Sequence, residues 1–254
     1  MKIKRRNFLC LTFAGGIGTL LSGRLRAEAA QDRSHQPVIE VPILAEDGST
    51  VPIQVSVDHP MDPDHYIRQI EVVLDADPVP AKGIYRFTPD NGRASVAFQM
   101  RSGVGGTLKA IVECSRHGKF VGTQEVRVVE GGCTTAPDKF AKGQLIGRPM
   151  LRVGKVGRPG EIVEVRTKVN HNSYTGLVQQ GRRIVRERPE FFVKQLRVYL
   201  DQRLVSDFQL TSAVSPNPLF RFPLKLSRPG VLRVVFVNNE GETWETSQPV
   251  QPGA

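Results

Sequence analysis

The chain has 254 residues, 39% of them hydrophobic, with 24 Gly, 18 Pro and a formal net charge of +10. That length suits two domains of about 100 to 120 residues better than one, and short apolar runs among so many Gly and Pro suit strands and turns rather than helices. No zinc-knuckle, RNP or helix-turn-helix pattern accompanies the positive charge, so nucleic acid is not the expected partner.

Residues 1–29 read as an export signal. Lys4-Arg5-Arg6-Asn7-Phe8-Leu9 has the paired arginines and following apolar residues of a twin-arginine signal. The apolar region from Phe8 to Leu21, interrupted by Gly15, Gly16 and Gly18, is too short and glycine-rich for an anchor, and Ala27-Glu28-Ala29 offers a small-x-small cleavage pattern. The expected location is therefore the periplasm, with no membrane span in the mature chain. The signal holds six basic residues and one acid, so its removal takes the net charge to +5. The rest is uneven: residues 30–133 hold 10 basic and 14 acidic residues, and residues 134–254 hold 19 and 10. Halves of opposite sign suit packing on each other, or docking of acidic partners on the basic half.

In the first half, strands are predicted at Val38–Leu44, Val51–Val57, Ile67–Leu74, Ile84–Phe87, Ala94–Arg101, Leu108–Cys114 and Phe120–Val129, separated by turn signals such as Asp47-Gly48 and Pro89-Asp90-Asn91-Gly92. Residues 134–147 lose the pattern and read as a linker. It then resumes at Met150–Val156, Glu161–Val169, Phe191–Leu200, Leu204–Leu210, Phe220–Leu226, Val231–Val237 and Thr243–Val250. Seven short strands twice over predict an all-β protein of two immunoglobulin-like β-sandwich domains, 30–133 and 148–254, joined by the linker. Between Asn170 and Pro189 a long loop is expected, with Arg182, Arg183 and Arg186 either a partner-docking surface or a solvated charged face.

Signatures of catalysis are missing: no Gly-x-Ser-x-Gly, His-Glu-x-x-His, phosphate-cradling glycine loop or Cys-x-x-Cys. An enzyme is not expected, nor a cofactor. The histidines, His35, His59, His65, His117 and His171, do not fall at close ligand spacing, so no metal is expected. His59 and His65 flank an acidic turn that reads as solvated, and Asp75 and Asp77 read as surface residues at a strand edge. Cys114 sits on the apolar face of a predicted strand, as a small core residue does. Cys133 lies past a strand end, behind Gly131 and Gly132, which read as a hinge letting the thiol swing. A bridge between the two cysteines is not expected. Without a neighbouring His, the Cys133 thiol should titrate near the ordinary ~8.5, with Glu130 raising it and Lys139 lowering it, which suits a carrier thiol activated by a partner rather than a catalytic nucleophile.

Two groups of motifs carry a resemblance. Ala45-Glu46-Asp47-Gly48, Val55 to Met61, Arg86-Phe87-Thr88-Pro89 and Val128-Val129-Glu130-Gly131-Gly132-Cys133 resemble SoxY, the sulfur-carrying subunit of the periplasmic thiosulfate-oxidising system. Pro159-Gly160-Glu161, Thr175-Gly176, the run to Phe192 and Ser215 to Phe222 resemble its partner SoxZ. The resemblance implies a non-catalytic carrier whose cysteine, here Cys133, holds thiosulfate-derived sulfur covalently for partner enzymes, among them a thiosulfate-attaching cytochrome and a sulfonate hydrolase. Fused proteins of this type also accompany periplasmic quinoprotein dehydrogenases, for which an accessory docking role is the alternative. Two features depart from the family: Thr134-Thr135 and a whole second half follow the cysteine, where SoxY ends in a flexible Gly-Gly-Cys-Gly-Gly tail, and His171-Asn172-Ser173-Tyr174 replaces His-Pro-Met-Glu of SoxZ.

Overall fold

The computed structural model describes residues 35–134, 146–155 and 157–253. The expected export signal, most of the expected linker and Lys139 lie outside the described residues. Among those described there is no α-helix, and no helix is long and apolar enough to cross a membrane.

The first half forms β1 (Pro37–Glu40), β2 (Leu44–Asp47), β3 (Val51–Val57), β4 (Ile67–Leu74), β5 (Ala81–Phe87), β6 (Ala94–Met100), β7 (Gly106–Cys114) and β8 (Gly118–Glu130). The second forms β9 (Gly147–Val153), β10 (Glu161–Asn170), β11 (Leu177–Gln180), β12 (Arg183–Arg186), β13 (Val193–Leu200), β14 (Arg203–Gln209), β15 (Leu219–Leu226), β16 (Gly230–Asn238) and β17 (Thr243–Val250). The period-2 pattern holds where it was strongest. In β3 the residues Val51, Ile53, Val55 and Val57 are buried and alternate with more exposed neighbours, as a strand with one face on a core requires. Two expectations change. The first predicted strand splits into β1 and β2 around Val41-Pro42-Ile43, and β2 pairs in parallel with β8 instead of continuing beside β3. The expected loop 170–189 contains the hairpin β11–β12, turned at Gly181, whose φ of 62° a glycine adopts without strain.

The two sandwiches share both of their sheets. One sheet runs β1-β3-β6-β15-β10-β9 and the other β17-β16-β13-β14-β5-β4-β7-β8-β2, so strands of the two halves pair where β6 meets β15 and where β5 meets β14. The seam is apolar. Tyr85 and Phe87 of the first half pack edge-on to Phe208 of the second at centroid distances of 5.3 and 5.8 Å, and Phe98 stacks on Phe220 at 6.2 Å. Asn91, buried, donates to Ser206 Oγ and to the Pro223 carbonyl, both at 2.9 Å. Ion pairs across the seam, Arg86–Asp207 at 3.8 Å and Arg203–Asp90 at 3.0 Å, are partly exposed and contribute at most about 1 kcal/mol each. Aromatic burial and backbone pairing, more than opposite net charge, hold the halves together.

Strand β8 organises the functional geography. At 13 residues and about 3.3 Å per residue it spans roughly 40 Å. The turn carrying His117 precedes it, and the Gly-Gly-Cys segment leaves its far end.

Candidate functional sites at the two ends of strand β8

Cys133 forms no disulfide and is buried rather than displayed, with 1% of its surface exposed. Its thiol donates to Asp77 Oδ1 at 3.2 Å. The Asp77 side chain, expected at the surface, is wholly buried. It accepts from Lys82 Nζ at 2.9 Å and from the backbone N–H of Val79 through Oδ1, and from Ser102 Oγ and the Gly103 N–H through Oδ2. The Lys82 ammonium also donates to the carbonyls of Val79 and Arg101, both at 2.8 Å, so all three of its protons are used. Arg101, buried beside it, donates to the Gly132 carbonyl at 2.9 Å and to the Ser173 carbonyl at 2.6 Å. Lys82 and Arg101 escaped the sequence reading because each stands alone among polar and apolar neighbours in sequence. Only the fold brings 77, 82, 101 and 133 together.

The electrostatics follow from that burial. Burial raises the Asp77 carboxyl, but Lys82 and the backbone donors outweigh it and hold the group below its ordinary value, so it stays ionised. Burial, then the Asp77 charge, push the Cys133 thiol up to about 12, against a smaller pull from Lys82 and Arg101. The expected value near 8.5 is therefore corrected, and the carboxylate responsible is Asp77 rather than Glu130. Burial brings Arg101 down to about 10, still a cation at neutral pH.

Gly131 and Gly132 serve close approach in this structure. A Cβ on Gly132 would overlap the carbonyl carbon of Gly48 and the nitrogen of Ser49, and one on Gly131 would press on the Gly103 carbonyl. Backbone hydrogen bonds tie the segment down: Gly48 N–H to the Glu130 carbonyl at 2.8 Å, Ser102 N–H to Gly48 and Gly132 N–H to Ser102, both at 2.7 Å. The second half completes the enclosure, since the Thr175 hydroxyl donates to the Cys133 carbonyl. Arg182, Arg183 and Arg186 of the β11–β12 hairpin are all exposed, and Arg186 also donates to the Thr175 carbonyl at 2.6 Å. His171 lies inside, stacked on Phe191 at 4.4 Å with Nδ1 against Ser173 Oγ at 2.9 Å, and burial lowers it to about 4.

At the other end of β8, histidines that lie apart in sequence come together with Cys114. His35 precedes β1, His59 and His65 come from the β3–β4 connection, Cys114 ends β7, and His117 occupies the β7–β8 turn. Their ring nitrogens form a closed circuit: His35 Nε2 to His59 Nε2 at 3.1 Å, His59 Nε2 to His65 Nε2 at 3.1 Å, His65 Nε2 to His117 Nδ1 at 3.2 Å, and His117 Nδ1 back to His35 Nε2 at 3.0 Å. Cys114 Sγ stands 3.9 Å from His59 Nε2 and 3.8 Å from His117 Nδ1. The donor atoms of His35, His59, His65 and Cys114 all lie within 4.8 Å of one another. Burial and the neighbouring histidines lower His59, and burial, His117 and Arg116 lower His65, which favours neutral imidazole in both. The one short spacing in sequence was Cys114 to His117. The other residues of the cluster come from elements brought together by the sandwich.

Comparison with known proteins agrees with the motif reading. A family model described as sulfur oxidation protein SoxY matches residues 24–133, ending on Cys133, and one described as sulphur oxidation protein SoxZ matches residues 152–249. No curated protein matches in sequence. Similar solved structures include a superoxide reductase (neelaredoxin) from Ignicoccus hospitalis, 28% identical over 39% of this chain and 85% of that one, with a TM-score of 0.36. A superoxide reductase from Nanoarchaeum equitans is 20% identical over 37% of this chain and 94% of that one, with a TM-score of 0.33. The sulfur carrier protein SoxY from Chlorobium limicola f thiosulfatophilum is 23% identical over 43% of this chain and 98% of that one, with a TM-score of 0.31. With both family models matched in order along one polypeptide, the chain is a fused SoxY–SoxZ-like protein.

Proposed function

We propose that this protein is a periplasmic, non-enzymatic carrier that holds thiosulfate-derived sulfur on Cys133 while partner enzymes act on it. The observation that carries this reading is the position of Cys133: the last residue of the SoxY match, held at its carbonyl by Thr175 of the SoxZ-like half. In the loading step the Cys133 sulfur bonds to the sulfane sulfur of thiosulfate. The thiol proton leaves to solvent, and two electrons pass to an acceptor on the partner, a cytochrome. Hydrolysis of the outer S–S bond by a sulfonate hydrolase then releases sulfate and leaves a persulfide.

Two cations, Lys82 and Arg101, lie beside the thiol, where they can face an anionic cargo on Cys133; while the thiol is neutral they are balanced by the carboxylates of Asp77 and, acting on Arg101, Asp47. A thiol titrating near 12 is almost wholly protonated at neutral pH and does not load itself. The resting state is therefore a closed one, and loading requires the 130–134 segment to leave its cleft, with Gly131 and Gly132 as the hinge of that movement. Because the second half follows Cys133, the segment emerges as a loop, which calls for partners with open active-site mouths.

A docking role beside a quinoprotein dehydrogenase is favoured by one feature, the exposed arginines Arg182 and Arg183 on the β11–β12 hairpin. Intact-mass analysis of protein taken from the periplasm separates the readings. Adducts in steps of about 32 mass units mapping to Cys133 support the carrier. A Cys133→Ser strain that oxidises sulfur compounds as well as wild type overturns it. A docking-only protein would tolerate Cys133→Ser but lose its partner on reversing Arg182 and Arg183 to Glu. Arg186 is left out of that test because it also braces Thr175.

A further inference from the structure

The histidine circuit at the near end of β8 is unexplained by sulfur carriage on Cys133, and its geometry is not that of mutual hydrogen bonding. Each of the four ring nitrogens approaches two others at 3.0 to 3.2 Å. A single imidazole nitrogen offers one proton or one lone pair, never both, so hydrogen bonds cannot satisfy all four sides of the ring. Four lone pairs converging on a common centre describe a cation site. A square with edges near 3.1 Å places its centre about 2.2 Å from each corner, close to the ~2.0–2.1 Å of a metal–imidazole bond.

The surroundings prepare the ligands. The Nδ1–H of His59 is directed at the Pro60 carbonyl, which leaves Nε2 as the unprotonated nitrogen facing the centre. The Arg116 backbone N–H points at Cys114 Sγ at 3.5 Å, the kind of donor that stabilises a coordinated thiolate. Phe120 stacks on His35 at 4.5 Å and fixes its ring. Cys114 and His35 are buried, whereas His65 is half-buried and His117 exposed, so the sulfur is on the interior side and solvent reaches the rim.

The donor set selects among metals. Structural zinc takes four ligands in a tetrahedron, and copper with a cysteine favours a trigonal His₂Cys set. Four nitrogens around the equator with one axial thiolate reproduce the arrangement around a cysteine-ligated haem iron, assembled here from side chains. We propose that His35, His59, His65, His117 and Cys114 hold a mononuclear iron(II) ion, with the coordination position opposite Cys114 open to a small anion. Four neutral imidazoles and one thiolate leave iron(II) with a net charge of +1 and iron(III) with +2, which attracts an anion to that position.

The test uses the full mature chain, purified without oxygen and supplied with iron(II) and zinc(II) together. Elemental analysis should give about one iron per chain. One-electron oxidation by ferricyanide should then produce a visible thiolate-to-iron(III) charge-transfer band, and azide, filling the open position, should shift it. Cys114→Ser should remove the band, and His117→Ala, a change on the exposed rim that spares the core, should weaken iron binding by about 100-fold or more with an unchanged far-UV circular dichroism spectrum. Cys133→Ser should leave band and iron content untouched. Zinc displacing iron from the wild type, a band that survives Cys114→Ser or vanishes with Cys133→Ser, or iron bound equally well by His117→Ala would each overturn the proposal. A band indifferent to azide would overturn the open position.

Discussion

The two cysteines of the described chain lie near opposite ends of β8, Cys114 at the end of the neighbouring β7 and Cys133 just past β8 itself, and face opposite chemistry. Cys114 points its sulfur at imidazoles and a backbone N–H, a setting that suits a thiolate only once a cation sits among the ligands. Cys133 points at the Asp77 carboxylate, a setting that keeps it a thiol while the segment stays in its cleft. The contrast shows that burial alone does not set the chemistry of a cysteine. What its sulfur faces decides which charge state, and so which reaction, is open to it.

The largest expected effect on that contrast is Lys82→Met. It strips the buried Asp77 of its cation while keeping the side-chain volume, and should destabilise the protein by about 3–5 kcal/mol in denaturant unfolding. Iron binding at the near end of β8 should persist wherever the variant is folded. A loss below about 1 kcal/mol would mean that the backbone donors alone satisfy Asp77, and the charge-locked view of the thiol pocket would fail. Gly132→Ala should cost about 1–3 kcal/mol, since its Cβ meets backbone rather than a yielding side chain. It should also raise the alkylation rate of Cys133 with no change at Cys114, read by mass mapping. Equal rates in wild type and variant would show that the Gly48 contact does not close the pocket.

The smallest effect per unit is the alkaline limb of stability. The Cys133 thiol is raised from 9.0 to about 12 on folding, so between those values the folded chain holds a proton that the unfolded chain has lost. Its contribution is complete below pH 9 and declines as pH rises toward 12, by about 1.4 kcal/mol per pH unit. Cys133→Ala should flatten that limb relative to wild type in urea unfolding curves. Parallel curves would mean that the thiol titrates normally and the cleft is open.

Much of the architecture was legible in sequence because alternation of apolar and polar residues is a local signal. The runs at 51–57, 67–74 and 243–250 became β3, β4 and β17 with unchanged bounds. β11 and β12 were not legible, being four residues each with half-exposed or exposed side chains and no core-facing alternation. At the proposed carrier site Cys133 was legible through the Gly-Gly-Cys segment, but its burial was not, because the residues that bury it, Gly48, Asp77, Arg101 and Thr175, come from separate parts of the chain.

The sequence by itself determined the strands, the all-β class, the SoxY-then-SoxZ order and the prominence of Cys133 behind its paired glycines, since each depends on residues close together in the chain. Only the tertiary structure decided that the two sandwiches share their sheets, that Asp77 and Lys82 lock the thiol, and that His35, His59, His65, Cys114 and His117 meet. Those outcomes depend on strand order and loop placement, which bring together residues as far apart as 35 and 117. A residue set assembled from three separate stretches, with only the Cys114–His117 spacing short, leaves little for a motif to record.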